Sequence, residues 1–318
     1  MTVAFLIAVS VVAGLLLFLI KEARRSPGPV KWGRNPRWAK RLRVTLSAII
    51  LLIGLLVFWG FLIEPGLLVV RQQTIQIENW PSELNGLKIA VLSDIHVDDW
   101  FVNERKVRTI VERTNQLQPE LIVILGDYMS GNGMVRRTVE PRVFAPILRD
   151  LRAPLGVYSV LGNHDSWYDV TKLRQELEQN GIKVLENETA QVNARNRSLW
   201  LVGLADLWTR PQKINETIEQ VPQGEPIIAL AHNPDIFPKL PSHVPLLLAG
   251  HTHGGQVRFP IIGSVVESTR LGDRYSRGHI FENNRHLFVT TGIGTSILPV
   301  RFGVIPEIVL LTISTQSH

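Results

Sequence analysis

Between residues 87 and 255, short apolar runs stop again and again on aspartate, asparagine or histidine, and this recurrence limits the possible folds more than any other feature. Residues 87–92 run into Ser93-Asp94-Ile95-His96, and residues 121–125 into Gly126-Asp127. Residues 156–161 stop at Gly162-Asn163-His164-Asp165, and 227–231 at His232-Asn233. Residues 244–249 stop at Gly250-His251-Thr252-His253-Gly254-Gly255. Apolar runs of this length, bounded by turn residues, read as strands buried on both faces. Amphipathic stretches of helical length separate them at 104–117, 141–151 and 170–180; in the first, Val107, Ile110, Val111 and Leu117 share one face, and Gly181 closes the last. Residues 67–77, 198–204, 287–291 and 308–313 also have strand composition. The alternation predicts an α/β fold, in which loops at strand carboxyl ends are the usual place for a site.

The chain has no cysteine, so a disulfide framework and a thiolate metal site are both excluded. Carboxylates, imidazoles and one amide oxygen suit divalent ions of intermediate hardness. There are enough of them for two ions, and a pair about 3.5–4 Å apart sharing a carboxylate can stabilise both oxygens of a displacement at phosphorus. Singly, each residue has an ordinary reading: Asp94 and Asp127 as turn or cap residues, Asn163 as a turn residue, His232 as a core histidine, His251 and His253 as a pair set by alternation. Their joint recurrence at strand ends favours the metal reading. His243, His279, His286 and His318 belong to no such group. Trp100, Trp167 and Tyr168 follow the motifs directly, either packed under the loops or forming a rim that meets a lipid or a base.

The first 63 residues differ from the rest. Residues 2–20 and 44–63 carry no charge, and each is long enough to cross a bilayer as a helix. A cleaved signal peptide is disfavoured for the first run, because no basic residue precedes it and no small-residue cleavage site follows. A buried core helix is the alternative for the second. The connecting loop, 21–43, holds nine Lys or Arg residues and one Glu, which places it in the cytoplasm and both termini outside. Residues 64–318 hold 25 basic and 27 acidic residues, so the overall charge of +6 belongs to the loop and no nucleic-acid partner is expected. The expected plan is a membrane anchor over 1–63 and one catalytic domain over 64–318.

Asp94-x-His96, Gly126-Asp127, Gly162-Asn163-His164-Asp165, His232 and Gly250-His251-x-His253 occur in the order found in calcineurin-like metallophosphoesterases, which the chain resembles over about residues 87–255. Within that family it looks most like membrane-associated bacterial phosphodiesterases, through Gly126-Asp127-Tyr128, the run from Gly250 to Gln256, and a tail over 291–307 that includes Gly294-Thr295-Ser296 and Arg301-Phe302. The resemblance implies two packed mixed β-sheets flanked by helices, in four layers. It implies that Asp94, His96 and His253 hold one ion, that Asn163, His232 and His251 hold a second, and that Asp127 bridges them. It further implies that His164 faces the substrate phosphate and that Asp165 orients or tunes His164. Manganese is the expected metal, with iron, zinc or magnesium as alternatives. The expected substrate is a phosphodiester or pyrophosphate in a lipid or lipid-linked molecule at the cell membrane. A soluble phosphoester is the alternative, and a non-catalytic metal-binding scaffold of the envelope a further one. Where relatives commonly have Leu-Gly after the first histidine, this chain has Val97-Asp98-Asp99-Trp100, which would add two carboxylates to the pocket rim.

Overall fold

The structure is a computed structural model describing residues 14, 17, 21, 36–130, 138–266 and 269–316. It divides into two units, Met1–Glu64 and Pro65–His318. In the first, helix α1 (Pro36–Phe58) continues through a π-helical turn, Trp59–Ile63. Arg41–Gly66 is the one helical stretch among the described residues that is long and apolar enough to cross a membrane, with a mean hydropathy of 2.8. Leu52, Ile53 and Leu55 on it are exposed. The expected span at 2–20 lies almost wholly outside the described residues.

The second unit holds two six-stranded sheets. In the first, β1 (Val69–Ile77) pairs in parallel with the last strand, β14 (Glu307–Thr315), which runs antiparallel to β2 (Leu87–Leu92). Parallel strands β3 (Leu121–Ile124), β4 (Val157–Ser159) and β5 (Ile182–Val184) follow. The second sheet runs β12 (Gly278–Glu282), β13 (Arg285–Val289), β9 (Leu246–Ala249), β8 (Ile227–Leu230), β7 (Arg197–Gly203), β6 (Glu188–Ala194), antiparallel only at its two outer pairings.

The apolar strands alternate between cores, as the two-residue period of a strand requires. In β2, Ile89 and Val91 face the same core as Leu199 and Leu201 of β7 and Leu246 and Leu248 of β9, so the two sheets pack face to face. Ala90 and Leu92 point the other way, under helices α2 (Glu104–Gln116), α3 (Pro141–Leu148) and α5 (Val170–Gln179). Leu247 and Ala249 face Ile218 of the short helix α6 (Ile214–Ile218) and Ile236 and Phe237 of a 3-10 turn. The result is four layers: helix, sheet, sheet, helix. Each helix is set by local chemistry as well. Asn103 caps α2 by accepting from the Lys106 amide, and Asp169 caps α5 through the Lys172 amide. Helix α3 stops at Leu148; Leu151, which lengthens the periodic pattern, reaches the same core from the turn that follows.

Candidate metal centre

The carboxyl ends of β2, β3 and β4 in one sheet meet those of β8 and β9 in the other, and all nine expected site residues converge there. Backbone strain concentrates at the same place. Asp94, His96, Asp127, His251 and His253 have φ between 45° and 69°, a left-handed conformation that side chains with a Cβ adopt at a cost. Two glycines allow the close approach: a Cβ on Gly162 would lie 2.2 Å from Asp127 Oδ1, and one on Gly250 would lie 1.9 Å from Ser93 Oγ. After Gly162 the chain turns at once into a five-residue helix, α4 (Asn163–Trp167), where the sequence suggests only a loop.

Three overlapping groups of buried donor atoms result: Asp94, His96 and His253; His96, Asp127 and His164; and Asp127, His232 and His251. In the first, His253 Nε2 is 3.1 Å from His96 Nε2 and 3.3 Å from Asp94 Oδ1. Asp94 Oδ2 accepts from the Ser93 hydroxyl at 2.5 Å and the His251 amide at 3.0 Å, whereas Oδ1 is buried without a hydrogen-bond partner. In the third, His232 Nε2 lies 3.2 Å from Asp127 Oδ2, 3.1 Å from His251 Nδ1 and 3.2 Å from Asn163 Oδ1. Asp127 Oδ2 is also 3.5 Å from His96 Nε2, so this single oxygen stands between the two outer groups.

The surrounding backbone fixes which ring nitrogens face inward. His96 Nδ1 lies 2.8 Å from the Met129 carbonyl and His232 Nδ1 lies 2.7 Å from that of Leu125. A carbonyl can only accept, so both Nδ1 atoms carry protons and both Nε2 atoms face the site. Burial pushes the Asp94 carboxyl up to about 6 against the pull of His232. Burial also opposes the Asp127 anion, but His232, His96 and His164 outweigh it and hold that carboxyl well below the usual range. For His232, burial disfavours the imidazolium, yet Asp127 reverses the balance and pushes it up to about 10. Burial and the neighbouring His232 bring His251 down to about 3; burial and His96 lower His253. Inward-facing ring nitrogens and a buried carboxylate oxygen that makes no hydrogen bond, in a site this buried, fit divalent cations.

Asp165 sits in the first turn of helix α4, next to His164. Its carboxylate accepts from the amides of Asp127, Tyr128, Met129 and Gly162, so it holds the loop that carries Asp127 and reaches His164 through helix α4. Burial and the Asp127 charge push its carboxyl up to about 7, while the amides favour the anion. His164 donates its amide to Asp127 Oδ1 at 2.9 Å and its Nε2 lies 3.2 Å from Ser296 Oγ. The expected acidic rim is reduced by half: Asp98 is buried and turns back to accept from the Trp100 and Val102 amides, and only Asp99 is exposed. Of the expected rim aromatics, Trp167 packs on His164 with ring centroids 4.7 Å apart.

Two contributors were not anticipated. Trp208 sets its ring edge-on to His251 at 4.3 Å, just after the buried carboxylate of Asp206, which sits at the end of β7 in the same strand-end position as the other site residues. Arg301 is fully buried. Its guanidinium donates to the carbonyls of Thr291, Gly294 and Val304, and it lies 3.2 Å from His253 Nδ1. It thereby ties down the loop whose Gly294 packs against Ile95 and His96. Arg301→Met is expected to lower stability by at least about 3 kcal/mol, because several buried carbonyls lose their donor at once. Urea denaturation checks this, and a shift below about 1 kcal/mol would show the loop to be held by other contacts.

Residues 87–255 match the calcineurin-like phosphoesterase domain. The chain belongs to that family. It is 29% identical over 258 residues to the uncharacterized metallophosphoesterase YkuE of Bacillus subtilis, covering 80% of this chain and 88% of YkuE. It is 30% identical over 228 residues to the phosphodiesterase YaeI of Escherichia coli, covering 70% of this chain and 81% of YaeI. A transmembrane protein with metallophosphoesterase domain from Danio rerio is 30% identical over 249 residues; the match covers 74% of this chain and 54% of that protein. Calcineurin-like phosphoesterases depend on a dinuclear metal centre, and this chain is a metal-dependent phosphoric ester hydrolase.

Proposed function

We propose that the chain is a membrane-anchored phosphodiesterase that hydrolyses a phosphodiester or pyrophosphate bond in a lipid or lipid-linked substrate. In this reading Asp94, His96 and His253 hold one divalent ion, and Asn163, His232 and His251 hold the other. The observation that carries it is the position of Asp127 Oδ2, between His96 of one group and His232 of the other. Bound there, two ions supply Lewis-acid polarisation of the phosphoryl group and an activated nucleophile at neutral pH. Manganese suits the mixed nitrogen and oxygen donors.

The side chains around them complete the chemistry. His164 is aimed by its amide bond to Asp127 and by helix α4, whose start Asp165 fixes through the Gly162 amide. It stabilises charge on the phosphoryl oxygens or gives a proton to the leaving oxygen. The low proton affinities of His251 and His253 keep them neutral and ready to ligate, whereas His232, raised to about 10, must give up its proton. Metal uptake by chelator-treated protein at pH 8 is therefore expected to release at least about one proton per site pair, the His232 proton adding to any given up by water, measurable with a pH indicator in weak buffer. Uptake without proton release would remove His232 from the ligand set.

The anchor is the region 1–63, spanning twice through 2–20 and 44–63, with the loop 21–43 in the cytoplasm and the catalytic domain, 64–318, outside. The helix Arg41–Gly66 supports one of these spans, and relatives from Danio rerio and Bos taurus carry transmembrane protein in their names. The test is purified full-length protein with manganese, assayed against bis-p-nitrophenyl phosphate and against phospholipids. Turnover of both supports the reading. Turnover of the nitrophenyl ester alone removes the lipid part, and no turnover with any divalent ion removes the whole.

A further inference from the structure

A soluble protein seldom leaves several large aliphatic side chains exposed side by side, and such a cluster beside a site has a partner to explain. Strands β10 (Arg258–Phe259) and β11 (Gly263–Ser264) form a hairpin whose tip carries Ile261 and Ile262, 98% and 78% exposed. Val265 and Val266 continue it, and Ile297 and Leu298, at 77% and 53% exposure, add to it from the loop between β13 and β14. The two loops are joined. The Arg258 amide donates to the Phe302 carbonyl at 2.7 Å, and Gln256 accepts from the Ser296 amide at 2.6 Å and donates to the Leu298 carbonyl at 3.3 Å. Ser296 in turn touches His164, so the Ile297–Leu298 end of the aliphatic surface borders the candidate metal centre. Ile297 also holds φ of 57°, a left-handed conformation costly for a β-branched residue. The fold pins it there with its side chain in solvent.

Two observations indicate what covers this surface. The first is where the chain enters the domain. Val69, at the start of β1, pairs with Glu307 of β14, and the register of β14 on β2 places Glu307 level with Ser93. The polypeptide leaving the apolar helix at Gly66 thus joins the sheet at the end that carries the metal site. The second is charge. Residues 258–277 hold four arginines and two acids; Arg258 is paired with Asp273 at 2.6 Å, and Arg277 lines a small cavity of about 240 Å³ with Arg71 and its partner Glu307, at the root of β1. Exposed aliphatic side chains beside a segment of net positive charge match the interface of a membrane with anionic headgroups.

We infer that this edge of the domain seats on the lipid surface, with Ile261 and Ile262 inserted among the acyl chains and the arginines against anionic headgroups. A lipid phosphoester then reaches the metal centre from the bilayer without leaving it. This rests on the membrane-anchored phosphoesterase reading above and adds the docking face to it.

Because the chain lacks cysteine, one reporter can be placed at will. Full-length Ile262→Cys, carrying an environment-sensitive fluorophore, is reconstituted in phosphatidylcholine–phosphatidylglycerol vesicles containing doxyl-labelled lipid. Gln223→Cys serves as control, since it lies beside Ile77 at the far end of β1. The expected result is lipid-borne quenching at 262 and none at 223. Equal quenching at both positions, or a label at 262 reached only by aqueous iodide, overturns the inference. So does a blue shift at 262 without lipid quenching, which would mark contact with a second copy of the chain. In a second arm, the Ile261→Asp, Ile262→Asp double variant is expected to keep its turnover of bis-p-nitrophenyl phosphate and lose hydrolysis of a bilayer-embedded phosphodiester by roughly tenfold or more. Unchanged lipid hydrolysis would also overturn it. Quenching does not depend on turnover, so the docking face and the proposed reaction fail separately.

Discussion

Exchange of Asp127 for alanine is expected to strip the metal centre of its ions and to reduce turnover of bis-p-nitrophenyl phosphate by at least about 10³-fold. The size of the effect follows from how much this one carboxylate does. Its Oδ2 lies within 3.5 Å of His96 and 3.2 Å of His232, between the two sets of donors. Its Oδ1 accepts the His164 amide, so the same substitution loosens helix α4. Its negative charge raises the proton affinity of His232, and without it that histidine loses most of what opposes burial. Metal analysis and steady-state kinetics on the same preparation check the result. Wild-type turnover in the alanine variant would end the bridging role, and loss of turnover with both ions retained would move Asp127 from metal binding to some other task.

His164→Ala is expected to keep its metal content and lose about 10²–10⁴ in turnover. The loss should be larger for an alkyl phosphodiester than for a nitrophenyl one, because nitrophenolate leaves readily without a proton and an alkoxide does not. His164 also belongs to one of the three donor groups, with His96 and Asp127, so metal retention is the informative half of the measurement. Loss of an ion in the variant would make His164 a ligand. An equal loss for both leaving groups would confine it to stabilising charge on the phosphoryl oxygens. Full activity would remove it from the chemistry.

The parts of the fold legible in the sequence are those where burial is double-sided. Residues 121–124 and 246–249 are apolar at every position because each successive side chain enters a different core, and that leaves an unmistakable run. Strand β6 escapes the same reading. Only Ala190, Val192 and Ala194 of its seven residues face inward, and two of these are too small to mark a hydrophobic period. Strand β12, at the other edge of the same sheet, buries Ile280 alone. The site residues were legible because chemistry at strand ends repeats, and Asp206 shows the same placement without a recognisable motif around it. Arg301 could not be read this way. Besides His253, it holds backbone carbonyls at 291, 294 and 304, and carbonyls are the same in every sequence.

The pairing of the first strand with the last has a consequence for biosynthesis. Arg71 of β1 meets Glu307 of β14 across 236 residues of chain. At about 5–20 residues per second, a ribosome needs roughly 12–47 s to deliver that partner after β1 has emerged. Through that interval the nascent strand waits with its hydrogen-bonding edge open. Its sequence is suited to the delay: Arg71, Gln72, Gln73, Thr74 and Gln76 break up its four aliphatic residues and discourage premature association with a neighbouring chain. Synthesis of residues 307–315, rather than emergence of the metal ligands, then sets the moment at which the sheet can close.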